Sequence, residues 1–203
     1  MVRTPRHYAA TKRAIDVVIC VTLLPVVAPI ALVCALLIRI ESPGQIMFFQ
    51  MRTGQHGLRF PMFKFRTMVQ NAEELKASLQ HLNILPAPDF KIPNDPRITR
   101  VGRFLRKTSL DELPQILNVI RGEMTIVGPR PTSFAASTYD LWHSERLEVV
   151  PGITGLWQIK GRGTMTFDER LRLDIEYIER RSVLLDLRIM VLTALAVFRG
   201  SGA

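Results

Sequence analysis

The segment that decides the fold is residues 14–38, which read AIDVVICVTLLPVVAPIALVCALLI. They are apolar apart from Asp16, Thr22 and two prolines, and they exceed the roughly 20 helical residues that cross a hydrocarbon core. Pro25 and Pro29 lie near the middle, where each lacks an N–H and crowds the carbonyl four residues earlier. Because both freed carbonyls lie on one helix face, the sequence predicts a helix broken by a sharp bend.

Basic residues flank this segment on both sides. Cytoplasmic flanks of membrane segments carry an excess of Lys and Arg, so we expect a re-entrant helix that enters and leaves through one leaflet. A kinked transmembrane helix is an alternative. A cleaved signal sequence fits less well, because its apolar run is only roughly 7–15 residues long. The flanking residues are Arg3, Arg6, Lys12, Arg13, Arg39 and Arg52.

Composition narrows the class of protein. The chain has 203 residues, 27 Lys and Arg against 18 Asp and Glu, and a net charge of +9, and its pI is near 10.2. With 47% hydrophobic residues it is not a disordered polycation. Its two cysteines, Cys20 and Cys34, both lie in the apolar segment, which excludes a disulfide scaffold and a four-cysteine zinc site. These features indicate a basic, membrane-associated domain.

The rest of the chain predicts an α+β fold that is mainly helical. Strands at residues 45–51 and 60–68 flank the turn signal GQHG and form a small β-hairpin. A proline-rich loop spans residues 85–96, and Thr166 and Glu169 form a capping box. We divide the chain into a tail and re-entrant helix over 1–38 and one continuous domain over 39–203. Helices, some amphipathic and interfacial, are expected over residues 70–83, 113–121, 134–150, 166–181 and 183–198. Gly122 is expected to end the helix over 113–121.

The strongest local constellation is SLDELPQ at residues 109–115. Pro114 is tolerated only in the first turn of a helix, which places Asp111 at or near the N-cap. Asp111 then either caps the helix or, with Glu112, does chemistry. Adjacent carboxylates at a helix N-terminus can hold a divalent cation or divide into a nucleophile and a supporting group.

A set of cationic side chains favours the chemical interpretation. Arg130 and Arg162 lie in Gly/Pro-rich turns, which fix the guanidinium geometry that bidentate phosphate binding needs. The joint pattern predicts a phosphorylated ligand, although the chain contains no phosphate-loop, dinucleotide, zinc-protease or serine-elbow motif. The other members of the set are Lys64, Arg66, Arg103 and Arg106.

These residues resemble the bacterial monotopic phosphoglycosyl transferases, also called undecaprenyl-phosphate sugar phosphotransferases, in their minimal catalytic form. The resemblance is collinear from about residue 12 to residue 200 and therefore specific. The matching blocks are KRxxD at 12–16, KFRTM at 64–68, DPRITRVG at 95–102, SLDELPQ at 109–115, NVxxGEM at 118–124, VGPRP at 127–131, PGITGLWQ at 151–158 and LLDL at 184–187.

The resemblance implies a two-step reaction. Asp111, in a dyad with Glu112, would attack the sugar-linked phosphorus of a UDP-sugar, release UMP and hold the phosphosugar covalently. Polyprenyl (undecaprenyl) phosphate would then accept it, in the first membrane step of glycoconjugate or polysaccharide assembly. Mg²⁺ would bridge Asp111 and the diphosphate. Phosphate- or substrate-binding positions would be Lys64, Arg106, Arg130, Arg162 and Asp174, the last within an apolar helix stripe where it suits a partner to one of these arginines.

The resemblance also implies a monotopic protein on the cytoplasmic face of the bacterial inner membrane, with a helix broken at a Ser-Pro pair. Here the pair is Ala28-Pro29, and Pro25 adds a second break. Trp157 resembles relatives that use hexoses such as UDP-glucose or UDP-galactose, with N-acetylated sugars as an alternative. Oligomeric state and the pathway served are left open.

Two other functions compete with this one. A basic, membrane-tethered binding module would explain the charge without chemistry, but the aromatic platforms or basic helix of nucleic-acid binders are not evident, so we expect no nucleic-acid partner. Direct one-step transfer would leave Asp111 as a metal ligand alone.

Overall fold

The computed structural model describes residues 6–85, 90–135, 141–161 and 165–198. Its elements confirm a mainly helical α+β fold. Single turns of 3₁₀-helix lie at Gln55–Gly57, Gln80–Leu82 and Leu110–Glu112, and a longer one at Leu141–Glu148. The helices and strands are α1 (Arg6–Glu41), β1 (Met47–Thr53), β2 (Arg59–Phe65), α2 (Glu74–Ser78), α3 (Arg100–Thr108), α4 (Gln115–Arg121), β3 (Thr125–Val127), β4 (Gly152–Thr154), α5 (Leu156–Lys160), α6 (Phe167–Arg180) and α7 (Val183–Phe198).

Two small sheets organise the domain. The predicted hairpin is present, with β1 antiparallel to β2 and Met47 opposite Phe65. A second, parallel pair of β3 and β4, with Thr125 opposite Gly152, was not predicted. The chain crosses itself closely beside this pair, since a Cβ on Gly152 would lie 2.1 Å from the backbone nitrogen of Gly128. Glycine is required at this crossing, which fixes the turn that follows β3.

The two ends of α1 pack against the same body. Near its N-terminal end, Cys20 joins a buried cluster with the hairpin and α4. Near its C-terminal end, Cys34 and Ile38 join another cluster with β2 and α3. A third cluster lies between α5, α6 and α7 around Tyr177. Between the packed ends of α1, residues 21–33 are exposed or half-buried.

The expected division of the apolar segment into two helices is not what the structure has. A single helix runs from Arg6 to Glu41, with Pro25 and Pro29 both inside it. A proline removes one hydrogen bond and crowds one carbonyl, and the intact turns on either side here keep the backbone helical through both positions. This helix is long and apolar enough to cross a membrane by length and composition.

Other local predictions had mixed outcomes. The capping box at α6 is confirmed, with the backbone N–H of Thr166 donating to Glu169 at 2.7 Å, and Gly122 ends α4 at φ +83°. The helix predicted over 70–83 is confirmed only in part, because α2 and a 3₁₀ turn form there and the rest of the segment is not helical. Leu75, Leu79 and Leu82 recur at helical spacing, but none of them is buried, so the segment lacks the packing that stabilises a longer helix. Part of the helix predicted over 134–150 is the 3₁₀ turn Leu141–Glu148, and residues 136–140 lie outside the described residues.

Candidate active site

Three segments bring the candidate site together. Strand β2 presents Lys64, the turn after β3 presents Arg130, and the 3₁₀ turn between α3 and α4 carries Asp111 and Glu112. Ser109 begins that 3₁₀ turn in the left-handed conformation, at φ +58°. This reversal directs the chain out of α3 and puts both carboxylates beside the cationic side chains.

Glu112 is clamped between two cations. Lys64 Nζ donates to its Oε1 at 2.8 Å, and Arg130 donates to both carboxylate oxygens. Burial alone would raise the pKa of Glu112, but the charges of Arg130 and Lys64 hold that pKa well below its usual range. Burial lowers the pKa of Lys64, and the charge of Glu112 opposes that shift. Glu112 is therefore a fixed anion that orients two cations.

Asp111 is buried without such partners. The residue is 8% exposed, yet its carboxylate has no hydrogen bond or ion pair with any residue that the structure describes. Burial raises the pKa of Asp111, while the nearby charge of Lys64 lowers it. The helix-capping interpretation does not hold either, because Pro114 occupies the N-cap of α4 and no side chain caps it. A desolvated carboxylate with free oxygens beside cations is a candidate nucleophile or metal ligand.

Arg106 approaches the dyad from α3. Its Nε donates to Thr67 Oγ1 at 2.9 Å. Burial lowers the pKa of Arg106, and the charge of Asp111 opposes that shift. Lys64, Arg106 and Arg130 therefore lie beside the two carboxylates, and their role in binding phosphate stays a prediction.

Two other basic residues from the sequence-based set lie elsewhere. Arg66 donates to the carbonyls of Ser42 and Pro43, both at 2.8 Å. Arg103 is exposed on α3. Arg162 lies outside the described residues.

Asp174 is buried, but its partner differs from the expectation. It pairs with Arg146, at 2.7 Å between Nη2 and Oδ2, rather than with Lys64, Arg106 or Arg130. Burial raises the pKa of Asp174 to about 6, although Arg146 lies beside it. Sequence reasoning missed Arg146 because its segment carries no turn signal or motif. The lone carboxylate in the apolar stripe of α6 was the signal that a buried cation must face it.

The carboxylates of the candidate site can accommodate one divalent cation. No group of three or more His, Cys, Asp or Glu side chains that could hold a metal exists within the described parts of the chain. Mg²⁺ usually takes one or two carboxylates together with substrate phosphates and waters. Asp111 offers one such carboxylate, whereas Glu112 is engaged by Lys64 and Arg130. The residues therefore fit a metal held jointly with a diphosphate.

The chain is similar in sequence to a family of bacterial enzymes and to several of its members. The family model described as bacterial sugar transferase matches residues 7–200. The chain is 45% identical over 165 residues to the galactosyl transferase CpsE of Streptococcus agalactiae, covering 80% of this chain and 37% of that protein. It is 41% identical over 197 residues to the undecaprenyl-phosphate galactose phosphotransferase of Salmonella typhimurium, covering 95% of this chain and 41% of that protein.

A shorter relative is matched over most of its length. The exopolysaccharide production protein ExoY of Sinorhizobium fredii is 39% identical over 198 residues, which cover 95% of this chain and 88% of that protein. The chain thus spans less than half of the first two relatives and nearly all of the third. The family match includes the blocks that carry Lys64, Asp111, Glu112 and Arg130. The chain belongs to the bacterial sugar transferase family.

Proposed function

We propose that this protein transfers a sugar-1-phosphate from a UDP-sugar to polyprenyl phosphate and releases UMP. The observation that carries the proposal is the contrast within the dyad. Glu112 is saturated by cations, whereas Asp111 is buried with its oxygens unpaired among the described residues. Burying a carboxylate without partners opposes folding, and such groups cluster at sites that use them.

In the first step a carboxylate oxygen of Asp111 attacks the sugar-linked phosphorus. The bond between that phosphorus and the bridging oxygen breaks, UMP leaves with the electron pair, and an acyl phosphate carries the sugar. In the second step a phosphate oxygen of the polyprenyl phosphate attacks the same phosphorus and frees the carboxylate. The product is a polyprenyl diphosphate sugar, and the kinetics are ping-pong.

The surrounding charges suit this chemistry. Lys64 and Arg106 lie close enough to Asp111 for their charges to favour its ionised form, and they can also bind the diphosphate oxygens. Arg130 shares the Oε1 atom of Glu112 with Lys64, and its charge also favours the ionised form of Asp111. Glu112 holds Lys64 and Arg130 in place and does not compete as a nucleophile. Mg²⁺ held by Asp111 and the diphosphate would neutralise charge that repels the attacking carboxylate.

We further propose that the protein is monotopic, on the cytoplasmic face of the bacterial inner membrane. Asp16 on α1 accepts hydrogen bonds from Thr125 and, at 3.3 Å, from the backbone N–H of Ile126. At the other end of α1, Glu41 accepts from the backbone N–H of Arg100 at 2.7 Å. Because both ends are held by the same body, the exposed middle can dip into one leaflet, and a crossing to the far side would separate one end from its partners.

The activity is tested by measuring UMP release from UDP-glucose, UDP-galactose and N-acetylated UDP-sugars, with undecaprenyl phosphate and Mg²⁺ in lipid nanodiscs. We expect release with at least one hexose donor, and none from Asp111→Asn. Without the acceptor, a denaturation-stable phosphosugar should remain on the wild-type chain. Turnover without that label would favour one-step transfer, and no release from any donor would favour a binding module.

The topology is tested with an impermeant maleimide on His7→Cys and Arg39→Cys, each in a background in which Cys20 and Cys34 are replaced by Ala. We expect neither cysteine to react in intact spheroplasts and both to react after lysis. Labelling of either one in intact spheroplasts would contradict the monotopic arrangement.

A further inference from the structure

A buried ion pair lies directly behind Arg130. Arg146, on the 3₁₀ turn Leu141–Glu148, is 6% exposed, and Asp174, on α6, is 1% exposed. Arg146 Nη2 donates to Asp174 Oδ2 at 2.7 Å. Such a pair costs desolvation that an apolar pair of similar volume would avoid, so its presence calls for a role beyond packing.

The same guanidinium reaches the turn that presents Arg130. Arg146 Nη2 also donates to the backbone carbonyl of Arg130 at 2.5 Å. The turn is held from β4 as well, where the backbone N–H of Gly152 donates to the carbonyl of Pro129 at 2.8 Å. The Arg130 backbone is thus fixed by Arg146, and its side chain is free to bind Glu112.

We propose that Arg146 and Asp174 form a positioning pair, which holds the turn over residues 128–131 in the orientation that lets Arg130 clamp Glu112. Asp174 orients the guanidinium, and the guanidinium anchors the turn. Both hydrogen bonds come from Nη2, whose two N–H groups point in fixed directions in the guanidinium plane, so a guanidinium suits this task better than a flexible ammonium. The catalytic consequence rests on the proposed sugar-phosphate transfer, whereas the anchoring of the turn does not.

The first test is kinetic. Arg146→Lys keeps a cation beside Asp174, so the buried carboxylate still has a partner. The variant lacks the planar guanidinium that fixes the directions of the two hydrogen bonds. We expect kcat/KM for the UDP-sugar to fall about 10-fold or more, since small misplacements of catalytic groups carry costs of that order. In an Arg130→Gln background the same change should cost less than about 2-fold. A fall that is equal in both backgrounds, or no fall in the wild-type background, would overturn the catalytic part.

The second test does not depend on activity. Hydrogen–deuterium exchange of the full chain in nanodiscs should show the amides of Gly128 and Gly152, which donate to the carbonyls of Thr154 and Pro129 at 2.8 Å each, exchanging about 3-fold faster or more in Arg146→Lys, and also faster in Asp174→Asn. The matched control is Arg180→Gln, on the same helix as Asp174 but with 72% of its side chain exposed, which should leave this exchange unchanged. Unaltered exchange in Arg146→Lys would show that the pair does not anchor the turn, whether or not the protein transfers sugars.

Discussion

Two buried carboxylates in this molecule differ in whether other side chains hydrogen-bond to them. Asp186 on α7 is 4% exposed and accepts hydrogen bonds from Tyr8 at 2.9 Å, Tyr177 at 2.7 Å and Lys12 at 2.9 Å. Asp111 is 8% exposed and accepts none from the residues that the structure describes. Burial is therefore nearly the same, and pairing is what differs. A carboxylate with its acceptors filled stabilises the fold, and one left unfilled is available for chemistry.

The neighbours of each carboxylate reinforce the contrast. Burial and the charge of Asp186 raise the pKa of Tyr177, so the hydroxyl stays protonated and ties α1, α6 and α7 together. Around Asp111 the cations are turned toward Glu112 instead. The oxygens of Asp186 are filled by hydrogen bonds within a closed network of side chains. The carboxylate of Asp111 is left open to a ligand.

The largest effect is expected from Asp111→Asn, which should reduce turnover at least about 10³-fold, because it removes the nucleophile. The same change should raise Tm. The pKa of Asp111 is raised by burial in the folded protein, so the folded state binds a proton more tightly, and this group's contribution to stability falls as the pH rises through that pKa. At neutral pH the ionised carboxylate opposes folding, and an amide does not.

Activity and thermal unfolding in nanodiscs measure both effects. Glu73→Gln, which removes a carboxylate with 86% of its side chain exposed, should change neither. A fall in Tm for Asp111→Asn would mean that contacts stabilise this carboxylate in the folded protein, and it would contradict the view that the carboxylate is unpaired.

Glu112→Gln should move stability in the opposite direction. It leaves Lys64 and Arg130, with 17% and 31% of their side chains exposed, beside a neutral amide, and weakening hydrogen bonds to a charged group costs about 1.5–3 kcal/mol. In a chain of this size that corresponds to a fall in Tm of roughly 5 °C. Thermal unfolding of Glu112→Gln beside Asp111→Asn decides the point, and shifts of the same sign would remove the distinction between the two members of the dyad.

Tyr177→Phe tests the closed network. The hydroxyl donates to Asp186 at 2.7 Å and lies 3.0 Å from the carbonyl of Val127, and its loss should cost about 1–2 kcal/mol of stability. Turnover per folded molecule should stay within about 2-fold, because the network supplies no group to the reaction. A much larger loss of turnover at unchanged Tm would couple the two regions and contradict the separation.

The smallest effect is a shift of pH dependence. Lys64→Gln removes a charge that lowers the pKa of Asp111, so a higher pH is needed to ionise the nucleophile. The acid limb of the pH profile of kcat/KM should therefore move to higher pH, on top of a lower maximal rate. Lys76→Gln, whose side chain is 46% exposed on α2, should leave the limb in place. A limb that moves to lower pH would show that another group controls it.

Much of the fold and site was predictable from local signals. The GQHG turn, the Thr166–Glu169 capping box and Gly122 each act through chemistry within a few residues, and all produced the expected turn or cap. The apolar segment is helical as expected, but without the predicted division at its prolines. Arg130 was also legible, because a charged residue in a Gly/Pro turn has few structural uses, and the SLDELPQ block marked Asp111 and Glu112. Lys64 and Arg106 lie on a strand and a helix, and their place beside the dyad was implied by the family resemblance. The polar helix predicted over 70–83 forms only in part, because its leucines at helical spacing are not buried against the rest of the fold.

The amino-acid sequence alone thus determined which residues are anchoring, apolar, capping or charged. The tertiary structure alone decided which charges meet. Asp174 forms its ion pair with Arg146 and not with Arg130. Glu112 forms ion pairs with both Lys64 and Arg130, whereas Asp111 pairs with neither. The physical reason is that a local pattern fixes backbone conformation over a few residues, whereas ion pairing depends on distances between segments that are far apart in the chain and meet only when the sheets and helices pack.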